Sequence, residues 1–285
     1  MNLPHGRRGF WDSMRPRAGS GGKKSQAPPI VSFTGGIGAQ ILSLAIVLEH
    51  NKSSRPIGVD LSYFEQEPRQ ASLGEGVSIW PWGLDFLGFP IERVSALSNI
   101  QRNEGLLLSD SPQKLAMGVS ALVDPGLKGI FPRKEPELNF SALNISDLRG
   151  KDRYVALHLR RGDYLNVASH LVPDQAYAAL AARLSNVIPN AILISDSTPD
   201  VKSEMILRGQ FEKFLVIGGL EHNPGEVHHL LRNAAIHVGS NGQFSLTAGL
   251  LSEGLYLAPK RFVTGEDDIN LFISSLSEFS AVKTH

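Results

Sequence analysis

Between residues 154 and 258, short apolar runs alternate with segments of helical spacing, and this alternation leaves the chain few folds to adopt. Strands are predicted over 154–159, 191–194, 214–217, 235–238 and 255–258, with helices over 173–184, 225–233 and 244–251. Strands separated by helices must pair in parallel, because the chain has to cross back before each new strand. The sheet is then covered by helices. The amino-terminal half opens in the same way. Pro29-Ile30-Val31-Ser32-Phe33-Thr34 predicts a buried strand and Gly35-Gly36-Ile37-Gly38 a turn. A helix over 39–50 places Ile41, Leu44, Ala45 and Leu48 on one face, and 56–60 predicts the next strand. Residues 62–144 are less regular, and the polar stretch 132–148, with Pro132 and Pro136, reads as a crossing between domains. The expected fold class is α/β, with two domains built on parallel sheets. Residues 30–140 form the first domain and 141–285 the second.

Composition narrows the function. Lysine plus arginine balances aspartate plus glutamate at 28 each among 285 residues, so the basic footprint of a nucleic-acid binder is missing. The absence of cysteine removes disulfides, thiolate ligands and a cysteine nucleophile, and fits a cytoplasmic protein. Residues 1–29 carry Arg7, Arg8, Arg15, Arg17, Lys23 and Lys24 against one acid, Asp12. A disordered basic tail is expected, with peripheral association at the inner face of a membrane as its role. The uncharged run 30–48 behind this tail invites a membrane-anchor reading. Its central glycines and its Ser32, Thr34, Gln40 and Ser43 fit a strand–turn–helix better.

The most specific motif is His158-Leu159-Arg160-Arg161-Gly162-Asp163-Tyr164, directly after a predicted strand. Guanidinium groups make bidentate, charge-assisted bonds to phosphate oxygens, so paired arginines at a strand end suit a diphosphate. Gly162 permits a close backbone approach. A solvated turn with Arg160 bridged to an acid is the alternative. The embedded Arg-Gly-Asp tripeptide is too short to carry an adhesion reading.

This heptapeptide resembles the His-x-Arg-Arg-Gly-Asp-Tyr motif of the α-1,2-fucosyltransferase family. Three further segments agree in order: Phe33-Thr34-Gly35-Gly36-Ile37-Gly38-Ala39-Gln40, Ile194-Ser195-Asp196-Ser197, and 237–245, which ends Ser240-Asn241-Gly242-Gln243-Phe244-Ser245. The strand end Ala258-Pro259-Lys260-Arg261-Phe262 is also similar. The resemblance implies a GT-B-like glycosyltransferase, with two Rossmann-type domains whose sheets face a cleft. It also implies inversion at the anomeric carbon, GDP-fucose as donor substrate, and no need for a metal or other cofactor. The second domain then holds the GDP-sugar and the first faces a glycan acceptor. The chain departs from the family at Ala39, where asparagine is usual, and at Leu246-Thr247, where the family has paired tryptophans.

Under the resemblance, Arg160 and Arg161 neutralise the departing diphosphate. Asp163 and His170 are the candidate bases, Asp163 being equally suited to orienting the arginines. His158 contacts the nucleotide or is a structural histidine bonded to backbone, and Gly162 and Tyr164 line the nucleotide. Ser195 and Asp196 bond ribose hydroxyls or form a capped turn, and Glu226 meets the guanine edge or is a first-turn helix acid. Ser240, Asn241, Gln243, Phe244 and Ser245 bind phosphate at a helix start or act as ordinary caps. Gly36 and Gly38 border the cleft.

Two rival readings attach to other residues. Gly36-Ile37-Gly38 followed by Asp60 resembles part of a dinucleotide fingerprint, but the third glycine position holds Ile41. His222, His228, His229 and His237 lack the His-Glu-x-x-His spacing of a metal site. Trp80 and Trp82 stack on an acceptor sugar or pack in the core.

Overall fold

The computed structural model describes residues 27–65, 81–100, 105–108, 112–131, 153–162, 171–197, 201–218 and 223–259. Two parallel sheets organise them. In the first, β1 (Pro29–Ser32) lies between β2 (Gly58–Asp60) and β3 (Leu106–Leu108). The second has the order β6-β5-β4-β7-β8, built from β4 (Val155–Leu159), β5 (Asn190–Ser195), β6 (Lys213–Ile217), β7 (Ile236–Val238) and β8 (Leu255–Leu257). Every neighbouring pair is parallel. This is the expected α/β class, with parallel sheets. Of the tail expected over 1–29, residues 1–26 lie outside the described residues. The Pro28 carbonyl accepts from the Leu106 amide at 2.8 Å and Pro29 begins β1, so the fold starts earlier than expected. The crossing over 132–148 also lies outside the described residues, as do Trp80 and His222.

The buried strands explain why the pattern was readable. All five residues of β4 and all six of β5 are buried, as expected for strands covered on both faces. On one face, Val155, Leu157, Ala191 and Leu193 pack with Tyr177 and Leu180 of α5 (Asp174–Leu184). On the other, Ala156, Ile192 and Ile194 pack with Leu230 and Leu231 of α7 (Pro224–Asn233).

Helix α1 (Ile37–Lys52) departs from the single face predicted for it. Leu42, Ile46 and Val47 are buried along with Ile41, Leu44 and Ala45, and Leu48 is only half-buried. A helix apolar nearly all round is a central helix. Here α1 is covered by α3 (Pro112–Val123) and by α8 (Gln243–Leu251). Helix α8 follows the second sheet's β7 but packs into the first unit's core. Leu251 belongs to that core, and Phe244, Leu246 and Leu250 lie against it.

A second link joins the halves. Arg232 of α7 is 1% exposed and donates from Nη2 to the Phe131 carbonyl at 2.9 Å. Trp82 takes the core alternative, with Nε1 donating to the Phe89 carbonyl and its ring against Phe33 and Phe64. The uncharged run 30–48 forms most of β1, a turn and most of α1. Among the described residues, no helix is long and apolar enough to cross a membrane.

Candidate functional site

In the second sheet the chain runs outward from β4 through β5 to β6, then returns to lay β7 on the other side of β4. The switch point is the crevice beyond the carboxyl ends of β4 and β7, where open parallel sheets bind ligands. Arg160, Arg161 and Gly162 leave β4 there, and Gly239 to Gly242 leave β7. The topology therefore brings together the arginine motif and the serine-rich segment, 80 residues apart in sequence.

The strand ends are tied from below. The Tyr177 hydroxyl donates to the His158 carbonyl at 2.8 Å and lies 3.2 Å from the Gly239 carbonyl. His158 Nδ1 is 3.1 Å from Ser240 Oγ. The Ser240 amide donates to Ser245 Oγ at 3.0 Å, and Ser245 Oγ is 3.0 Å from His237 Nε2. Burial, reinforced by the charge of Arg160, pushes the His158 pKa down to about 3, so its ring is neutral at pH 7.

His158, Ser240 and Ser245 are buried and bonded to one another, which is the structural alternative for these residues. Ser195 is buried too, and its Oγ accepts from the Ser197 amide at 3.4 Å, closing a turn that presents Asp196. Asp196 is engaged within the protein. Its Oδ2 pairs with Arg160 Nε at 3.0 Å, and its Oδ1 accepts from the amides of Arg161 at 2.7 Å and Gly162 at 3.1 Å.

Arg161 is also withdrawn from the expected fork. One terminal nitrogen binds Asp174, the other donates to the Arg160 carbonyl at 3.2 Å, and the guanidinium carbon lies 5.9 Å from the centre of the Tyr177 ring. Arg160, with a side chain 21% exposed, is bridged to an acid, Asp196, as the alternative reading of the motif has it.

Gly38 permits a close helix contact. A Cβ there would stand 2.4 Å from the Gln243 carbonyl carbon and the Phe244 amide nitrogen, so the starts of α1 and α8 touch backbone to backbone. Gly36 is the cap residue of α1, and Gly35 takes φ +70°. Gln40 fastens this turn, donating to the carbonyls of Gly35 and Pro81 and accepting from the Gly83 amide, each at 2.9 Å. The carboxyl ends of β1 and β7 thus meet at one junction.

Gln243 and Phe244 are half-buried there, beside the half-buried Asn241. Glu226 is half-buried in the first turn of α7, whose cap is Asn223 accepting from Gly225 at 2.8 Å. Asp163, Tyr164 and His170 lie outside the described residues. Sequence reasoning missed Asp174 and Tyr177 as partners of Arg161. Their helix was predicted, but nothing in the local pattern shows which strand end its first turn would face.

No family model matches the chain, and neither does any curated protein. Solved structures similar to it include NodZ, an alpha-1,6-fucosyltransferase soaked with GDP-fucose. That match has 14% identity and a TM-score of 0.43, covering 80% of this chain and 93% of that one. POFUT1 in complex with GDP-fucose matches at 12% identity and a TM-score of 0.47, covering 81% and 98%. The ADP-heptose LPS heptosyltransferase II of E. coli matches at 13% and 0.44, covering 90% and 98%. At such identities and scores the likeness assigns no residue a role.

Proposed function

We propose that this chain transfers a sugar from a nucleoside-diphosphate sugar to an acceptor hydroxyl, with GDP-fucose as donor and a galactoside or surface glycan as acceptor. The supporting observation is the position of Arg160, held by Asp196 at the switch-point crevice beside the 239–242 loop. In an inverting transfer the acceptor oxygen attacks the anomeric carbon from the face opposite the leaving group. The bond from that carbon to the β-phosphate oxygen breaks, and the nucleoside diphosphate leaves with the electron pair. The acceptor proton passes to a base, for which Asp163 and His170 remain the proposals. A fixed guanidinium beside the leaving oxygens lowers the barrier by meeting charge as it forms. The chain has no Asp-x-Asp triad in a suitable loop, consistent with the arginine standing where a divalent ion otherwise would.

A second reading, a nucleotide-sugar binder without turnover, is favoured by the withdrawal of Arg161 onto Asp174. Incubating the protein with GDP-fucose and a panel of galactosides separates the two. Release of GDP coupled to a fucosylated product supports the transferase. Tight GDP binding with neither transfer nor donor hydrolysis supports the binder. Parallel titrations with UDP and NAD test the donor class, and a preference for either over GDP removes the proposal.

A further inference from the structure

We propose that Asp196 is the positioning residue of the arginine motif: its carboxylate shapes the 160–162 turn and aims Arg160, and it does not hold the ribose. The proposal rests on the reading of Arg160 as a diphosphate ligand. Both carboxylate oxygens are engaged. Oδ1 accepts from two successive amides, those of Arg161 and Gly162, and Oδ2 binds Arg160 Nε. Successive amides that converge on one oxygen form an anion-binding concavity, and here the protein fills it with its own carboxylate. Nε is one of five donors on a guanidinium, so gripping it fixes the plane of the fork.

The fit is close on every side. The Asp196 side chain is 16% exposed. A Cβ on Gly162 would lie 2.8 Å from Asp196 Oδ2, so a side chain there would have to push the carboxylate aside. The strands beneath are in register, with Leu159 paired to Ser195, so the residues that follow each of them leave the sheet side by side. Asp196 and Arg160 are thus neighbours by sheet register, and the polar pairing completes what the backbone begins.

The test is a calorimetric titration of wild type, Asp196→Ala, Asp196→Asn, Arg160→Ala and the Asp196→Ala/Arg160→Ala double variant, each with GDP and with guanosine. Wild type is expected to prefer GDP over guanosine. Asp196→Ala should lower that preference about tenfold or more, since charge-assisted bonds are worth about 1.5–3 kcal/mol and tenfold is 1.4 kcal/mol. Guanosine affinity should be unchanged. Asp196→Asn should fall between, because its amide oxygen still accepts the two amides but no carboxylate faces Nε. The losses from Asp196→Ala and Arg160→Ala should not add, because both act through one group.

Equal losses for guanosine and GDP would assign Asp196 to the nucleoside and overturn the proposal. Additive losses, or an undiminished preference in both Asp196 variants, would also overturn it while leaving Arg160 as a phosphate ligand. A wild type that binds guanosine as well as GDP would instead remove the diphosphate reading itself, and this inference with it.

Discussion

Gly38→Ala tests the junction on which both halves depend. The added Cβ would stand 2.4 Å from the Gln243 carbonyl carbon and the Phe244 nitrogen, and 2.6 Å from the Gln243 oxygen. Carbon contacts are comfortable at about 3.5–4.0 Å, so α1 and α8 must part by about 1 Å. The obstructing atoms are backbone and cannot rotate aside, which places the cost near the upper end of overpacking penalties, about 3 kcal/mol. Alanine regains about 1 kcal/mol of helix propensity at this position. The net expectation is a loss of about 2 kcal/mol, or about 4–8 °C in Tm for a chain of this size. Urea unfolding followed by circular dichroism measures it. Gly129→Ala is the matched control: Gly129 has φ −67° and nothing within 4 Å of an added Cβ. It should gain about 0.4–1 kcal/mol. If Gly38→Ala matches or exceeds wild-type stability, the backbone contact between the helices is wrong, and with it the packing of α8 into the first core.

Acid should unfold the protein through its buried histidines. Burial lowers the pKa of His158, His228 and His237. Below the ordinary value of 6.5 the unfolded chain takes up protons that the folded chain refuses, so stability falls as pH falls. Each group contributes about 1.4 kcal/mol per pH unit, about 4 kcal/mol together. Urea midpoints at pH 7.5 and 5.5 check this, and equal unfolding free energies would contradict it. Ser245→Ala removes the oxygen shared by the Ser240 amide and His237 Nε2 and should cost about 1–3 kcal/mol in the same assay. A cost below about 0.5 kcal/mol, the range of ordinary surface changes, would show that the network is not closed as described. Arg160→Lys should restore little of the GDP affinity lost in Arg160→Ala, because an ammonium offers no planar fork. Full restoration would mean that charge alone is needed.

Much of the second sheet was legible because its strands are buried on both faces and read as apolar runs, as in Ala191, Ile192, Leu193 and Ile194 of β5. Strand β3 was not, since Leu106 and Leu107 are exposed and the strand is three residues long at a sheet edge. Helix α6 (Val201–Arg208) was missed for a related reason, its Lys202, Ser203 and Glu204 breaking the apolar pattern. The arginine motif stood out as chemistry, but its wiring did not. Arg161 and Asp174 are 13 residues apart, and Arg161 and Asp196 are 35 apart. Pairings over such distances are set by sheet order and helix placement, which local spacing does not encode. The serines of 240–245 looked like ligand groups because hydroxyls at a helix start often are. Only burial reveals that they bond to His158 and His237 instead.

The central claim is that Arg160 binds a nucleoside diphosphate at the mouth of β4. Titrating GDP into wild type and Arg160→Ala, with a chelator present throughout, examines it directly. Wild type should bind, and the variant should be weaker by about 1.5–3 kcal/mol, roughly ten- to a hundredfold or more. Identical affinities, or binding that appears only when a divalent ion is restored, would contradict the account.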